Sequence, residues 1–494
     1  MPMIRILFVL LFACVQTAFA QKLVMPGDHP DPSVVKIGDT YWASATSSNW
    51  TPIFPLLSSN NLTDWTTVGH VFKEPPAWAD YYFWAPEISY DNGKVYVYYS
   101  AHKKDGNLCV AVASADRPEG PYRDHGPLIC EPAGSIDAFP MRDKAGKLHM
   151  IWKEDGNSVG KPTPIWIQEM NEERTAVLGE KRELFRNEAP WEANLVEGVA
   201  IMRHGDYFYA FYAAAGCCGT GCTYASGVAR AKDLMGPWEK FSRNPILTHT
   251  DQWRCPGHGT PVERDGKYYF LYHGYNTAST VFTGREGLLQ EFRFTPDGWV
   301  EFVQDEGNLV RQVSDREDRF RGNALPHYWE WNVFQKPSFA LSSGELHLNA
   351  LPTASGHFAG QKTLSGSYIA SVVVRPRKGN AAAGLAVLGD ERNTLTLYYT
   401  NDSIKLVSLR NGRDSTLTST ALRGGKKVHL QVTCTGGNSF VFGYSTNGRS
   451  FTPINNQPVS GSHLPPWDRA LRIGVAARGP QGTKAVFDDF EVDY

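Results

Sequence analysis

The sequence predicts an all-β protein, in which a five-bladed β-propeller is followed by a β-sandwich. Two observations support this prediction. One strand pattern occurs five times, at a spacing of roughly 50–60 residues that is typical of propeller blades. Elsewhere, short alternating or aromatic runs are separated by Gly, Asn and Asp turns, without any long helical periodicity.

Each copy begins near a polar residue, turns at a glycine and returns in an aromatic-rich strand. The copies are HPDPSVVKIGDTYWASA, WAPEISYDNGKVYVYYSA, SIDAFPMRDKAGKLHMIWK, LVEGVAIMRHGDYFYAFYA and CPGHGTPVERDGKYYFLYH. Their polar residues are Asp31, Glu87, Asp137, Glu197 and His258. Because equivalent positions on the innermost strands of a propeller meet near its axis, we expect these five side chains to converge.

The rest of the 494-residue chain completes two domains. Residues 21–315 form the predicted propeller, and the stretch TGREGLLQEFRFTPDGWVEF at 283–302 is a strand pair that closes it. Residues 316–494 contain many short alternating strands, such as GELHLNA and SYIASVVVRP, which predict the sandwich.

Residues 1–20 have the pattern of an export signal. Arg5 supplies a positive charge, residues 6–15 are apolar, and Ala18-Phe19-Ala20 forms a small-residue cleavage site. The apolar run is short for a membrane span, and no later segment is long and apolar enough to be one. We expect an exported protein, periplasmic or extracellular; an outer-membrane lipoprotein attached through Cys14 is the less favoured alternative.

Charge and aromatic content limit the partners. A formal net charge of −2 without a basic run disfavours nucleic acid and anionic membranes. Aromatic residues make up 12% of the chain, which is typical of sugar-binding proteins and of stacked sheets alike.

Of the eight cysteines, Cys14 lies in the export signal. The remaining seven are an odd number, so we expect at least one that has no partner within the chain. Cys217, Cys218 and Cys222 share the loop AAGCCGTGCTY, which lacks a zinc-binding spacing. We expect a disulfide within this loop, from Cys217 or Cys218 to Cys222, although the sequence leaves the pairing open and small buried cysteines are an equal alternative.

Several carboxylates beside aromatic side chains at a propeller axis suggest glycoside hydrolysis, which needs one carboxylate to activate water and one carboxylic acid to protonate the leaving oxygen. The motifs HPDPS, WAPE, SIDAFP and VEGVAI, in this order, resemble those of glycoside hydrolase family 43, whose members are five-bladed propeller enzymes. The C-terminal region ending in FDDFEVDY is similar to the concanavalin-like sandwich of β-xylosidase-type members.

The resemblance implies a role for each of three carboxylates. Asp31 matches the general base, Glu197 the general acid, and Asp137 the third carboxylate that orients the acid and raises its pKa. The residues themselves agree, because three adjacent acids repel one another unless one holds a proton, and Glu197 is the predicted holder. The family inverts the anomeric centre, which implies a separation of roughly 6.5–9.5 Å between base and acid.

The resemblance also implies an axial calcium ion, largely hydrated, with one histidine as its protein ligand. His258 is the candidate and His273 the reserve, while a hydrogen-bonded core histidine is the alternative. Arg285 matches an arginine that reaches the active site, where we expect it to bind a sugar hydroxyl and to pair with Glu197; a surface salt bridge is the alternative.

The remaining candidates for substrate contact are inferred from their positions next to the inner strands. Trp50, Phe54, Trp84 and Phe139 are candidate walls for a sugar ring, and His29 precedes the base and is expected to orient it or to touch substrate. Glu87 is expected to make a structural contact without a catalytic role.

These inferences predict an exported, inverting glycosidase that releases a pentose, with α-L-arabinofuranose as the first candidate, from plant cell-wall polysaccharides or their fragments. A β-xylosidase is the close alternative, because the three carboxylates do not distinguish the two sugars. An endo-arabinanase and a galactanase are less favoured. A carbohydrate-binding protein without activity is the candidate from a different functional class.

Overall fold

The computed structural model describes residues 21–303, 313–377, 379, 381–400, 402–422 and 427–494. The predicted export signal lies outside these residues. The described chain is built of strands, interrupted by the 3₁₀ segments Gly156–Val159, Pro190–Glu192 and Thr280–Phe282. No helix among the described residues has the length and apolar character needed to cross a membrane.

The first twenty-two strands, with one exception described below, build a ring of five antiparallel sheets. They are β1 Lys22–Met25, β2 Ser33–Ile37, β3 Thr40–Ser44, β4 Trp50–Thr51, β5 Ile53–Ser59, β6 Thr66–Phe72, β7 Ala79–Asp91, β8 Lys94–Lys103, β9 Leu108–Ala115, β10 Arg123–Ile129, β11 Ser135–Arg142, β12 Leu148–Glu154, β13 Ile165–Met170, β14 Val177–Phe185, β15 Val196–His204, β16 Tyr207–Ala214, β17 Ala225–Ala231, β18 Glu239–Lys240, β19 Trp253–Arg264, β20 Lys267–Asn276, β21 Arg285–Phe294 and β22 Val300–Phe302.

Four blades are consecutive sheets, β2-β3-β5-β6, β7-β8-β9-β10, β11-β12-β13-β14 and β15-β16-β17-β18. The fifth blade joins β19, β20 and β21 to β1, so that strands from both ends of the propeller segment share one sheet and close the ring. The radial arrangement leaves each blade only a short outer edge. The all-β class and the propeller are therefore confirmed.

The aromatic-rich return strands are buried because each blade is covered on both faces by its neighbours. In β8, residues 95–101 are all buried. Phe54, Phe72 and Tyr99 pack together in one such cluster, with 5.3 Å between the ring centroids of Phe54 and Tyr99. Phe54 is fully buried in this cluster, so the prediction that it forms a sugar wall is wrong.

Four inner strands, β7, β11, β15 and β19, share an irregularity near the axis. Their register with the next strand shifts between Trp84 and Glu87, Ile136 and Phe139, Glu197 and Ala200, and Gly257 and Gly259. A residue with positive φ lies in or beside each shift: Ala85, Asp137, Gly198 and His258, and Asp31 has the same conformation just before β2. Such β-bulges re-aim side chains, here towards the axis.

All but one of the C-terminal strands form two facing sheets. The strands are β23 Arg316–Asp318, β24 Trp331–Asn332, β25 Phe339–Ser342, β26 Glu345–Asn349, β27 His357–Lys362, β28 Tyr368–Val374, β29 Ala382–Asp390, β30 Asn393–Tyr399, β31 Ser403–Arg410, β32 Arg413–Ala421, β33 Val428–Thr435, β34 Ser439–Ser445, β35 Thr452–Pro453, β36 Val459–Ser460, β37 Arg472–Arg478 and β38 Lys484–Asp493. One sheet has nine strands and the other six, and side chains such as Leu346, Val372 and Leu385 fill the core between them. The predicted sandwich is confirmed.

The two domains are joined by a short ladder and by buried charges. Strand β4 leaves the propeller and pairs with β24 of the sandwich. Arg472 is 1% exposed and forms ion pairs with Asp28 and Glu330, while its guanidinium lies 4.7 Å from the ring centroid of Trp50. Trp50 is therefore part of the domain junction, and the prediction that it lines a sugar site is wrong.

Candidate active site

A pocket of about 370 Å³ opens where the bulged ends of the inner strands meet. Its lining includes Asp31, Asp137, Glu197, His258, Lys153 and Arg285. Four of the five residues that the repeats placed at the axis therefore converge. The fifth, Glu87, is absent from the lining and instead accepts a 3.4 Å hydrogen bond from the Thr260 hydroxyl.

Asp31 is surrounded by donors and cations. Its Oδ1 accepts a 3.0 Å hydrogen bond from Nη1 of Arg285, and its Oδ2 accepts a 2.7 Å bond from the Thr46 hydroxyl. Burial by itself would raise the pKa of Asp31, but Arg285 and His273 outweigh it and hold that pKa far below its ordinary value. Asp31 is therefore ionised in the free protein.

Asp137 also lines the pocket, where it contacts strand β15. Its Oδ2 accepts a 2.9 Å hydrogen bond from the backbone N–H of Gly198. Burial raises the pKa of Asp137 to about 6; His258 opposes this rise, and the Glu197 carboxylate adds to it. Asp137 consequently holds a proton more readily than an ordinary aspartate.

Glu197 lies beside a cation that the sequence motifs did not predict. Nζ of Lys153 donates to its Oε2 at 2.6 Å, and the Tyr224 hydroxyl donates to its Oε1 at 2.8 Å. Burial raises the pKa of Glu197, but Lys153 overcomes this effect and lowers it. In the free protein the proton predicted for Glu197 is therefore favoured on Asp137 instead, because a buried ammonium group stabilises the Glu197 carboxylate.

Lys153 had a signal in the sequence. It ends the return strand of the third copy, IWK, where the first, second and fourth copies end in alanine. His273 ends the fifth copy and breaks the same pattern. Both residues are buried, Lys153 against Glu197 and Asp155, and His273 against Asp31. A charged or titratable residue at this repeated small-residue position marks the axial site.

Arg285 reaches the pocket as predicted, but it pairs with Asp31 and not with Glu197. Its Nη2 donates at 3.0 Å to the backbone oxygen of Asp468, a sandwich residue. The expected Arg285–Glu197 pair is absent because the nearest cation to Glu197 is Lys153.

His258 faces the carboxylates, with its Nδ1 3.5 Å from Oδ1 of Asp31 and 3.9 Å from Oδ2 of Asp137. Calcium prefers six to eight oxygen ligands. Among the described residues no group of three or more His, Cys, Asp or Glu side chains is arranged to hold a metal ion. These side chains do not form a calcium cage, and a largely hydrated ion on one histidine stays a prediction.

Two of the predicted substrate contacts lie elsewhere. Phe139 packs in a core cluster with Ile151. His29 is buried, its Nδ1 lies 3.3 Å from the Gly27 oxygen, and it lines a separate cavity beside Arg316 of the sandwich. The predictions of a sugar wall for Phe139 and of base orientation or substrate contact for His29 are therefore wrong. For Phe139 the error arises because alternate residues of a strand point to opposite faces.

Trp84 lines the pocket as predicted, and it is joined there by residues from the sandwich. Its ring stacks on Tyr82 with 4.4 Å between centroids and meets Trp467 edge-on at 5.7 Å. Its Nε1 donates at 3.2 Å to Oδ2 of Asp468. Trp467 and Asp468 also line the pocket, so the sandwich completes the site. Trp84 and Asp468 are 384 positions apart in the chain, so no local signal in the sequence marks this contact.

The predicted disulfide within the loop is confirmed, but its pairing differs from the prediction. The disulfides are Cys109–Cys130, Cys217–Cys218 and Cys222–Cys255, and buried Cys434 is free. The expected bond from Cys217 or Cys218 to Cys222 is wrong, because Cys222 reaches β19 of the neighbouring blade. The expectation of at least one cysteine without a partner in the chain is confirmed.

A five-bladed propeller with three carboxylates in one axial pocket, completed by a sandwich, is the class of fold and site that the motifs predicted. The family model described as glycosyl hydrolases family 43 matches residues 20–300, and a model described as the beta xylosidase C-terminal concanavalin A-like domain matches residues 317–493. The chain belongs to glycosyl hydrolases family 43.

Curated relatives carry two kinds of name. A xylan 1,3-beta-xylosidase from Vibrio sp is 29% identical over 52% of this chain and 50% of its own length. Xylosidase/arabinosidase 43B from Humicola insolens is 26% identical over 56% and 54%. The chain thus spans about half the length of these two relatives. The non-reducing end alpha-L-arabinofuranosidase BoGH43B of Bacteroides ovatus is 23% identical over 78% and 77%.

Solved structures share the whole architecture. The GH43 BlXynB protein from Bacillus licheniformis superposes with a TM-score of 0.80 at 24% identity, covering 96% of this chain and 100% of that one. A xylan beta-1,4-xylosidase from Bacillus halodurans gives 0.81 at 20% identity over 96% and 100%. These identities establish the fold alone. The family and the names of the curated relatives support glycoside hydrolase activity.

Proposed function

We propose that this protein is an exported, inverting glycoside hydrolase that removes a terminal pentose, with α-L-arabinofuranose as the first candidate, from plant cell-wall polysaccharides or oligosaccharides. One observation carries the proposal. Asp31, Asp137 and Glu197 line a single pocket, and their different surroundings set their pKa values apart. Carboxyl groups in contrasting environments are what acid and base catalysis at one site require.

The roles follow from the surroundings of each carboxylate. Asp31 is ionised and accepts the proton of the attacking water, so it acts as the general base. Glu197 gives its proton to the leaving oxygen. Above a pH of about 6 Asp137 is ionised, and its negative charge raises the pKa of Glu197, as does the exclusion of water by bound substrate.

A pocket closed partly by the sandwich supports action at a chain end. Trp467 and Asp468 form part of the lining beside Trp84, and Asp468 is held by the Trp84 indole and the Arg285 guanidinium. An endo-arabinanase needs an open groove for a continuing chain, so this closure argues against that alternative.

The choice between arabinofuranose and xylose rests on relatives. The relative named as an arabinofuranosidase, BoGH43B, aligns across 78% of this chain, which includes part of the sandwich. The xylosidase alternative is supported by two names. The description of the family model that matches the sandwich contains the words beta xylosidase, and the Vibrio relative is named as a xylosidase. A galactanase has no supporting observation of this kind.

A panel of nitrophenyl α-L-arabinofuranoside, β-D-xyloside and β-D-galactoside, with arabinan and arabinoxylan, tests the proposal. We expect release of arabinose, with proton NMR of the fresh product showing the inverted anomer. Turnover of the xyloside alone would select the alternative, and turnover of the galactoside alone would overturn the pentose assignment. Binding of these sugars without any turnover would indicate the non-enzymatic carbohydrate-binding protein.

Export and calcium are further parts of the proposal. Three disulfides among the described residues support an oxidising compartment outside the cytoplasm. For calcium, the test is thermal unfolding and activity after chelation and after calcium is restored. If calcium restores both the melting temperature and the activity after chelation, a bound ion is supported. If chelation changes neither, the calcium proposal is contradicted.

A further inference from the structure

The loop between β16 and β17 contains a disulfide between neighbouring residues, Cys217 and Cys218, and both line the pocket. In the chain-entropy account, a disulfide stabilises a fold more when it closes a longer loop. This one joins residues one position apart, whereas the other two span 21 and 33 positions. Its contribution must therefore lie in the local surface that it forms.

The loop begins and ends beside Glu197. Ala213, near the end of β16, is the register partner of Glu197 on β15. After the loop the chain returns through Tyr224, whose hydroxyl donates to Oε1 of Glu197. The Cys217–Cys218 pair thus belongs to the side of the pocket that carries the proposed proton donor.

Two contacts fix this loop in place. Cys222 is bonded to Cys255 on β19 of the next blade, and the backbone N–H of Gly219 donates to the Tyr275 hydroxyl at 3.3 Å. A Cβ added to Gly219 would lie 3.8 Å from the backbone oxygen of Trp467, so the loop also lies beside the sandwich. A surface held from several sides is preorganised for a ligand.

We propose that the Cys217–Cys218 disulfide is a sugar-contact wall of the active site, on the Glu197 side, that receives a ring face made of C–H groups. This inference rests on the proposed function and adds a binding element to it. Joined sulfurs are polarizable and carry neither charge nor a strong hydrogen-bond donor, so they favour apolar contact. The carboxylates and Arg285 on the other sides then serve the hydroxyl groups.

The test measures affinity for free L-arabinose and free D-xylose as product inhibition constants. The double variant Cys217→Ala/Cys218→Ala is expected to weaken inhibition by the released pentose about tenfold, since loss of some tens of Å² of apolar contact has this effect. The effect of the same double variant on kcat should be smaller than its effect on the inhibition constant. The matched control Cys109→Ala/Cys130→Ala removes a disulfide outside the pocket and should leave the inhibition constant within about twofold.

A folded double variant with an unchanged inhibition constant would contradict the proposal that the Cys217–Cys218 disulfide contacts the sugar. If that variant does not fold, the wild-type protein is treated with a phosphine reductant, and mass spectrometry identifies molecules in which only Cys217–Cys218 is opened. A weaker inhibition constant in those molecules supports the wall, and an unchanged one overturns it. A wild-type protein that neither binds nor hydrolyses any sugar of the panel would instead contradict the proposed function.

Discussion

Asp31 and Glu197 are both buried beside a cation, but the rest of their surroundings differ. Asp31 receives Arg285 and Thr46 on separate oxygens and lies within 3.5 Å of two histidine nitrogens. The guanidinium and the hydroxyl both stabilise the charged form, as a base requires. Glu197 has a single cation and a tyrosine hydroxyl. Its proton affinity therefore depends largely on Lys153.

We predict that Asp31→Asn lowers kcat/KM roughly 10²–10⁴-fold, because the amide keeps the size of the side chain but no longer accepts the proton of water. Inhibition by free pentose should change little. Steady-state kinetics and product inhibition measure the two effects. Asp124→Asn is the control, since Asp124 is hydrogen-bonded to Trp78 and Tyr99 outside the pocket. Native turnover by Asp31→Asn would remove Asp31 as the base.

We predict that Lys153→Met moves the alkaline limb of the pH profile of kcat/KM to higher pH. The limb reports loss of the proton from the acid in the free enzyme. Lys153 lowers the pKa of Glu197, so removal of the ammonium raises that pKa and keeps the acid protonated to higher pH. The measurement is the full pH profile with an aryl pentoside.

The control for this change is Lys147→Met. Lys147 lies just before the same strand, but it is exposed and pairs with Glu169. Its replacement should leave both limbs in place. A Lys153→Met profile that coincides with that of the wild type would show that Glu197 is not the group that titrates in the alkaline limb.

At the scale of the strand, the β-bulges of the inner strands bring the carboxylates together. Asp31, Asp137 and His258 all have positive φ, which costs non-glycine residues of the order of 1–3 kcal/mol each. Blade packing on both sides holds them there. On β15 the positive φ falls on Gly198 instead, and its N–H donates to Asp137. One glycine thus links two neighbouring inner strands.

We predict that Gly198→Ala lowers kcat/KM roughly 10²-fold, because displacement of catalytic groups by about 1 Å has this effect. The new Cβ would lie 2.7 Å from Cγ of His258. Gly205→Ala is the matched control. Gly205 has a similar φ, +56° against +61°, and nothing lies within 4 Å of its added Cβ. Both variants carry the cost of a positive φ in thermal unfolding, and Gly198→Ala should lose further stability through the clash; equal loss of activity would contradict the clash.

At the scale of the molecule, the domain junction belongs to the active site. Asp468 accepts from Trp84 and, through its backbone oxygen, from Arg285. Arg285 in turn holds Asp31. Arg285 therefore connects the sandwich to the proposed base, because it donates to both Asp468 and Asp31. Buried ion pairs of Arg472 with Asp28 and Glu330 hold the two domains in this arrangement.

We predict that Trp467→Ala raises KM about tenfold and changes kcat little, because its ring supplies apolar contact area at the pocket and no reacting group. Phe334→Ala is the matched control. Phe334 is as exposed as Trp467, 51% against 52%, and lies outside the pocket lining. A Trp467→Ala protein with native KM would show that the sandwich closes the pocket without touching substrate.

Much of this arrangement was predictable from the repeats. The inner-strand offsets identified Asp31, Asp137, Glu197 and His258 as neighbours, and the motifs identified the family. The aromatic walls were mostly wrong, since Phe54 and Phe139 are core residues and Trp50 lies at the junction. Adjacent strand residues point to opposite faces, and a one-residue bulge reverses which of them meets the axis.

By itself, the sequence determined the number of blades, the order of the domains and the carboxylates at the axis, because each copy of the repeat imposes the same local geometry. Only the tertiary structure decided which cations face those carboxylates, which cysteines are bonded, and that Trp467 and Asp468 belong to the pocket. These contacts join residues far apart in the chain, so their formation depends on how blades and sandwich pack, and no local pattern encodes it.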